Sequence, residues 1–202
     1  MTKKRVAILI SGRGSNMAAL IAAAKAPDYP AQIALVFSNV ETAKGLDIAR
    51  AAGIATKVIS HKAFATREDF DAAIDAALRE ANIDLVCEAG FMRIHSEGFV
   101  RGWEGRMLNI HPSLLPAFKG VKVHEQALAA GVKVSGCTVH FMVPELDAGP
   151  IIAQAAVPVL PGDTPETLAA RVLAEEHKLY PAALKLVAEG KVVLRDGRAV
   201  FV

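Results

Sequence analysis

The chemistry most directly legible in the chain lies in Met107-Leu108-Asn109-Ile110-His111, an apolar run that stops at Pro112. Side chains alternate faces along a strand, so Leu108 and Ile110 point one way and Asn109 and His111 the other, side by side. Pro112 cannot extend a central ladder and holds His111 extended. An amide and an imidazole thus converge at the carboxyl end of a strand, where open α/β sheets place their ligands. Such a pair can stabilise a developing oxyanion and move a proton. Two hydrogen-bonded polar residues on a core strand would account for either one alone. The pair, set before Pro112-Ser113-Leu114-Leu115-Pro116, favours a site.

A second chemical feature is Ser11-Gly12-Arg13-Gly14-Ser15-Asn16, between an apolar run at residues 6–10 and a helix-forming run at 17–24. Free amides at such a helix start bind phosphate. The dinucleotide fingerprint needs Gly or Ala where this chain has Met17, and an acid after the second strand, where it has Ser38-Asn39. A nicotinamide cofactor is therefore disfavoured and a simple phosphate favoured; a glycine turn without a ligand is the plainer alternative.

Three charged residues occupy awkward positions. Glu176 lies on an apolar helical face between Val172 and Tyr180 and needs a partner, either Arg171 or a ligand. Arg67 falls in the first turn of a helix capped by Thr66, where the dipole disfavours a cation, so either it meets an anion or it is an ordinary surface arginine. Asp147 sits among Gly and Pro, where an aspartate often only organises a turn. There is no Walker loop and no Gly-x-Ser-x-Gly elbow. The six histidines lack metal-ligand spacing, and no Ser or Cys is singled out as a nucleophile. What remains suits a reaction whose nucleophile comes from the substrate.

The elements that must position these residues follow from the hydrophobic pattern. Apolar runs at 6–10, 33–37, 56–59 and 83–87, separated by helical stretches, precede the strand of Asn109 and His111. They predict a doubly wound, mostly parallel α/β sheet. Helices are expected at 41–52, from Thr66, at 96–101 and at 124–130. After Pro116 the pattern changes. Residues 134–142 read as a half-exposed strand, antiparallel to one at 151–157. A helix from Pro165 is expected to be interrupted by Pro181 and to resume to about Glu189, followed by a hairpin around Asp196-Gly197.

With 202 residues, 52% hydrophobic, the chain fits a single domain. A net charge of +2 with no basic stripe, two Tyr and one Trp offers nucleic acid no footprint. Cys87 and Cys137 sit in apolar runs, as in a reduced, cytoplasmic protein. The first apolar run is too short for a signal peptide or a membrane span.

Taken together, Ser11-Gly12-x-Gly14-Ser15-Asn16, Gly90-Phe91-Met92-Arg93-Ile94, Asn109-Ile110-His111-Pro112-Ser113-Leu114-Leu115-Pro116 and Glu145-Leu146-Asp147-x-Gly149-Pro150 resemble the phosphoribosylglycinamide formyltransferase family over nearly the whole chain. The Asn-x-His strand and the later Asp are shared by all formyltetrahydrofolate-using formyltransferases. Gly14-Ser15-Asn16 and Glu176-His177 point to the glycinamide ribonucleotide branch. The methionyl-tRNA and deformylase branches carry an additional domain, which this chain is expected to lack.

The resemblance implies one Rossmann-like formyltransferase domain over 1–202. Its phosphate-binding half would span 1–115, and the folate-site loop, antiparallel strands and last helix 116–202. It implies transfer of the formyl group of 10-formyltetrahydrofolate to the amine of N1-(5-phosphoribosyl)glycinamide in purine biosynthesis. The partners are small molecules, with no metal, nucleic acid or membrane; a homodimer is an open expectation. Gly14, Ser15 and Asn16 would hold the substrate phosphate and Glu176 its ribose. Met92, Arg93, Ile94, His95 and Asn109 would line the folate site, and Arg67 would meet the folate's glutamate tail. Asn109 and His111 would polarise the formyl oxygen, with Asp147 orienting His111. Arg13, Glu88, His95 and Leu173 depart from the family pattern, which bears on details of binding and not on the reaction class.

Overall fold

The computed structural model describes residues 2–202. Its elements are β1 (Lys4–Ile10), α1 (Ser15–Ala24), β2 (Ala31–Ser38), α2 (Gly45–Ala51), β3 (Ala55–Val58), α3 (Arg67–Glu80), β4 (Leu85–Glu88), α4 (Glu97–Gly102), β5 (Met107–His111), α5 (Val123–Ala129), β6 (Val134–Phe141), β7 (Ile151–Pro158), α6 (Pro165–Ala188), β8 (Val192–Arg195) and β9 (Arg198–Phe201). The first seven strands form one sheet, ordered β3-β2-β1-β4-β5-β6-β7. β1 to β5 pair in parallel, and β6 and β7 are added antiparallel. The doubly wound sheet with an antiparallel end is the expected class, and β8 and β9 form the expected hairpin.

Strand alternation divides the core between the two sheet faces. Val6, Ile8 and Ile10 of β1 pack with Met17 and Leu20 of α1, Leu46 of α2, and Tyr180 and Leu184 of α6. Ala7 and Leu9 face the other way, toward Phe70, Ile74 and Leu78 of α3, and Phe99 of α4. The recurrence of Phe70, Ile74 and Leu78 at every fourth position makes them one buried helical face, and Thr66 caps α3 as expected, accepting from the Asp69 amide at 3.1 Å.

Three expectations need correction. The last helix is not interrupted: α6 runs through Pro181. The ring removes one intrahelical hydrogen bond, but Tyr180, Ala183, Leu184 and Val187 stay buried against the sheet on both sides of it. Burial of that face outweighs one lost bond. The strand expected to be half exposed is buried except at Val134. It lies between β5 and β7, with α6 against it, and its alternation of small, polar and apolar residues marked two covered faces. The helix expected from Glu41 starts only at Gly45, whose amide donates to the Gly12 carbonyl at 3.0 Å.

Gly149, in the β6–β7 connection, lies against the backbone carbonyl of Phe141, and a Cβ there would overlap that carbonyl. Gly149→Ala should therefore destabilise the fold by about 1–3 kcal/mol in a urea melt, the usual cost of overpacking. Gly98→Ala, exposed in α4 with nothing within 4 Å of an added Cβ and no positive φ, serves as the comparison. Its cost should be smaller; equal losses would show that the Phe141 contact is not the constraint.

Candidate active site

Asn109 and His111 end β5 on the face opposite Leu108 and Ile110, as the strand period requires. The antiparallel register of β6 places His140 opposite Asn109 and Thr138 opposite His111. His140 Nδ1 lies 2.8 Å from the Phe141 carbonyl and must be the protonated nitrogen. Its Nε2 is then an acceptor for Asn109 Nδ2 at 3.3 Å. Burial lowers the His140 pKa, which favours that neutral tautomer. One Asn109 N–H is thereby fixed on His140, leaving the other for a ligand.

Thr138 secures the turn after His111. Its hydroxyl donates to the Ser113 carbonyl at 2.7 Å and accepts from the Leu115 amide at 3.0 Å. Gln154 of β7 donates to that hydroxyl and to the Leu115 carbonyl. Neither His140 nor Thr138 was singled out from sequence as a site residue. The signal was present in the alternation of β6, but which side chains face β5 depends on register.

Asp147 reaches the same imidazole. Its Oδ1 lies 3.5 Å from His111 Nδ1, and its Oδ2 accepts from the Gly120 amide at 2.7 Å. His111 Nε2 donates to the Phe118 carbonyl at 2.9 Å. Both side chains are buried. Asn109, His111 and Asp147 are thus brought together, from one strand and one connection.

The glycine turn is linked to the cluster through Glu176 of α6, which bonds Asn16 and feels the charge of His111. Gly14 precedes α1 at φ +72°, and no side chain caps the helix. A Cβ on Gly14 would come within 2.9 Å of Gly45 Cα, so close backbone approach also demands glycine there. Asn16 Nδ2 donates to Glu176 Oε2 of α6 at 2.6 Å, while Asn16 Oδ1 is buried with no partner. Arg171 instead forks onto Asp163, at 2.7 and 2.9 Å. That removes the ion-pair alternative for Glu176. Burial pushes the Glu176 carboxyl up, only partly offset by Asn16 and by the charge of His111. Ser11 ties the strand ends together: its hydroxyl donates to Asn39 Oδ1 at 2.6 Å and accepts from the Met92 amide at 2.8 Å.

The segment after β4 presents Met92 and Ile94 to solvent, 67% and 56% exposed, with Arg93 exposed between them. Two large apolar side chains left uncovered beside a polar cluster are suited to a flat organic ligand. His95 departs from the expected lining. Its side chain is 1% exposed and lies between Asp71 and Glu88, so its ring cannot line an open pocket. Arg67 is exposed at the start of α3 and makes no ion pair among the described residues. A cleft of about 430 Å³ opens beside Asp147, lined also by Leu115, Lys119, Gly149 and Arg198. A comparable cleft of about 470 Å³ lies far from this chemistry, around Lys4, Arg106 and Leu194.

With this sheet and cluster in view, the family follows: residues 4–184 match the formyl transferase family, and the chain belongs to it. Within the family, the fold is similar to the crystal structure of glycinamide ribonucleotide transformylase 1 from Symbiobacterium toebii. The TM-score is 0.96 at 46% identity, over 99% of this chain and 94% of that one. The phosphoribosylglycinamide formyltransferase of Escherichia coli (strain K12) is 44% identical over 194 residues, 96% of this chain and 92% of that protein. The Homo sapiens trifunctional purine biosynthetic protein adenosine-3 is 59% identical over 194 residues. That match takes in 96% of this chain but only 19% of the human protein, so the chain spans about a fifth of that relative.

Because burial raises the folded-state pKa of Glu176, its ionised form costs stability once the pH passes the ordinary glutamate range. Glu176→Gln keeps the acceptor for Asn16 and removes that cost. Thermal melts should show the variant as stable as the parent, or slightly more so, at pH 7, with the difference vanishing near pH 4. A loss of about 3–5 kcal/mol at pH 7 would instead reveal a broken buried ion pair.

Proposed function

We propose that the chain is a phosphoribosylglycinamide formyltransferase, moving the formyl group of 10-formyltetrahydrofolate to the amine of N1-(5-phosphoribosyl)glycinamide. The observation that carries this reading is the meeting of two half-sites. The Asn109, His111 and Asp147 cluster acts electrostatically on Glu176, which bonds Asn16 at an uncapped helix start, and Asn16 keeps a buried, unpartnered oxygen. The relatives named above support the choice of substrates.

In this reading the amides of Gly14, Ser15 and Asn16 hold the phosphate, with the dipole of α1 behind them. Glu176 accepts from the ribose hydroxyls. Met92, Arg93 and Ile94 bear the folate head, and Arg67 the anionic tail; His95 acts on that surface only from beneath. The substrate amine attacks the formyl carbon, the formyl oxygen gains charge, and the folate N10 leaves with the proton that the amine gives up. The free N–H of Asn109 donates to the charged oxygen. His111 Nε2, now on the Phe118 carbonyl, turns from it to the same oxygen, while Asp147 holds the other ring nitrogen and the ring's orientation. The Asn109 donor, fixed by His140, is preorganised and stabilises the oxyanion without moving, whereas His111 must first give up the Phe118 carbonyl. The steps assigned to these side chains call for no metal ion.

The test is spectroscopic loss of the 10-formyl folate with and without the ribonucleotide. Turnover should require the ribonucleotide; turnover without it would identify a deformylase and overturn the reading. His111→Ala and Asp147→Asn should each cut turnover by about 10²–10³, the scale of a lost oxyanion donor. The double variant should be little worse than the poorer single one, as for groups acting as a unit. Fully multiplicative losses would show that the two residues act independently.

A further inference from the structure

A buried charged trio stands apart from the reacting groups. His95 Nδ1 lies 2.7 Å from Asp71 Oδ1, and Nε2 lies 2.7 Å from Glu88 Oε1. The three side chains are 1%, 3% and 6% exposed for His95, Asp71 and Glu88. Asp71 comes from α3, Glu88 ends β4, and His95 closes the segment that leaves β4. The second Asp71 oxygen accepts from the amide of Ser96, the residue that caps α4. Phe91 and Phe99 stack on the His95 ring, with centroids at 5.3 and 4.5 Å.

The trio therefore fastens residues 89–95 at both ends. Glu88 is held in the sheet beside Leu9 and Asn109, and its carbonyl accepts from the Tyr180 hydroxyl at 2.9 Å. Asp71 holds His95 and Ser96 at the far end. Between these points Met92, Arg93 and Ile94 face outward, with the Met92 amide on Ser11. Packing alone does not require charge here. A buried ionic trio replaced by apolar residues of similar volume is often as stable or more so. What charge adds is direction: each ring nitrogen has one partner, so the backbone between them has one arrangement.

We propose that Asp71, His95 and Glu88 are positioning residues that clamp residues 89–95, and so set the affinity of the Met92 to Ile94 surface for the formyl donor. The identity of that donor rests on the function proposed above; the clamp itself does not. Ionised carboxylates only accept, so both contacts hold at once only while both ring nitrogens carry protons or Glu88 carries one. The charged groups facing His95 are Asp71 and Glu88, and Asp147 acts on Glu88 from farther away. Burial alone would pull the His95 pKa down, but its bonds to Asp71 and Glu88 outweigh that and push it up to about 9. Because the folded value is raised, the clamp is complete below the ordinary histidine range, about 6.5, and is lost as the pH rises through about 9.

Asp71→Asn keeps an acceptor for Ser96 but removes the charge beside His95. The KM for 10-formyl folate, measured from pH 7 to 10, should stay flat in the parent to about pH 8 and then rise, roughly tenfold by pH 10. In Asp71→Asn the rise should begin at least one pH unit lower, while the KM for the ribonucleotide changes alike in both. Amide-exchange protection of residues 89–96, measured with no substrate, should fall over the same pH windows in the same order. Glu88→Gln should shift both readouts the same way and stands in if Asp71→Asn does not fold. Superimposable folate KM and protection profiles in parent and variants would overturn the clamp. Absence of turnover in the parent would sink the proposed reaction alone, since the protection profiles still decide the clamp.

Discussion

The antiparallel pairing of β5 with β6 is the constraint on which the site depends. It sets Asn109 against His140 and His111 against Thr138. A slip of one residue would turn every β6 side chain to the opposite face. Asn109 would then lose the acceptor that fixes its amide, and the turn after His111 would lose the Thr138 hydroxyl. The same strand leads into the connection that carries Asp147, so register also decides where that carboxylate falls. Gly149 shows how closely this is drawn, because the connection runs back against the Phe141 carbonyl with no room for a methyl group.

Convergence of the remaining groups is a property of the parallel half of the sheet. β1, β4 and β5 lie side by side and end at one edge, so the residues following each are neighbours without being close in sequence. Ser11 makes this concrete, bonding the loops after β2 and β4 through one hydroxyl. Gly14 and Gly45 let two helix starts approach until backbone meets backbone. α6 then crosses this edge and carries Glu176 to Asn16.

Buried charge is used sparingly and in two different ways. Glu176 has a neutral partner, Asn16, and burial raises its pKa. His95 has two charged partners and is fully engaged. The first arrangement leaves capacity for a ligand; the second uses all of it in holding the chain.

Local patterns determined the five parallel strands, the buried face of α3, the hairpin, and the shared face of Asn109 and His111. Each follows from alternation, helical spacing or turn chemistry within about a dozen residues. The glycine turn was legible for the same reason, because a helix start is a local event. Asp147, Glu176 and Arg67 stood out locally only as awkward charges, and the expectations for them came from the resemblance to formyltransferases, since no local rule assigns them a partner. Tertiary structure alone decided the rest. Pro181 stays inside α6 because burial on both sides of it outweighs one missing hydrogen bond. β6 is covered on both faces because α6 packs on one and the turn after β5 lies on the other. His140 and Thr138 join the site through register, and His95 turns inward because Asp71 and Glu88 arrive from other elements. Each of these outcomes depends on groups far apart in the chain, and their proximity is fixed only when the two faces of the sheet are packed.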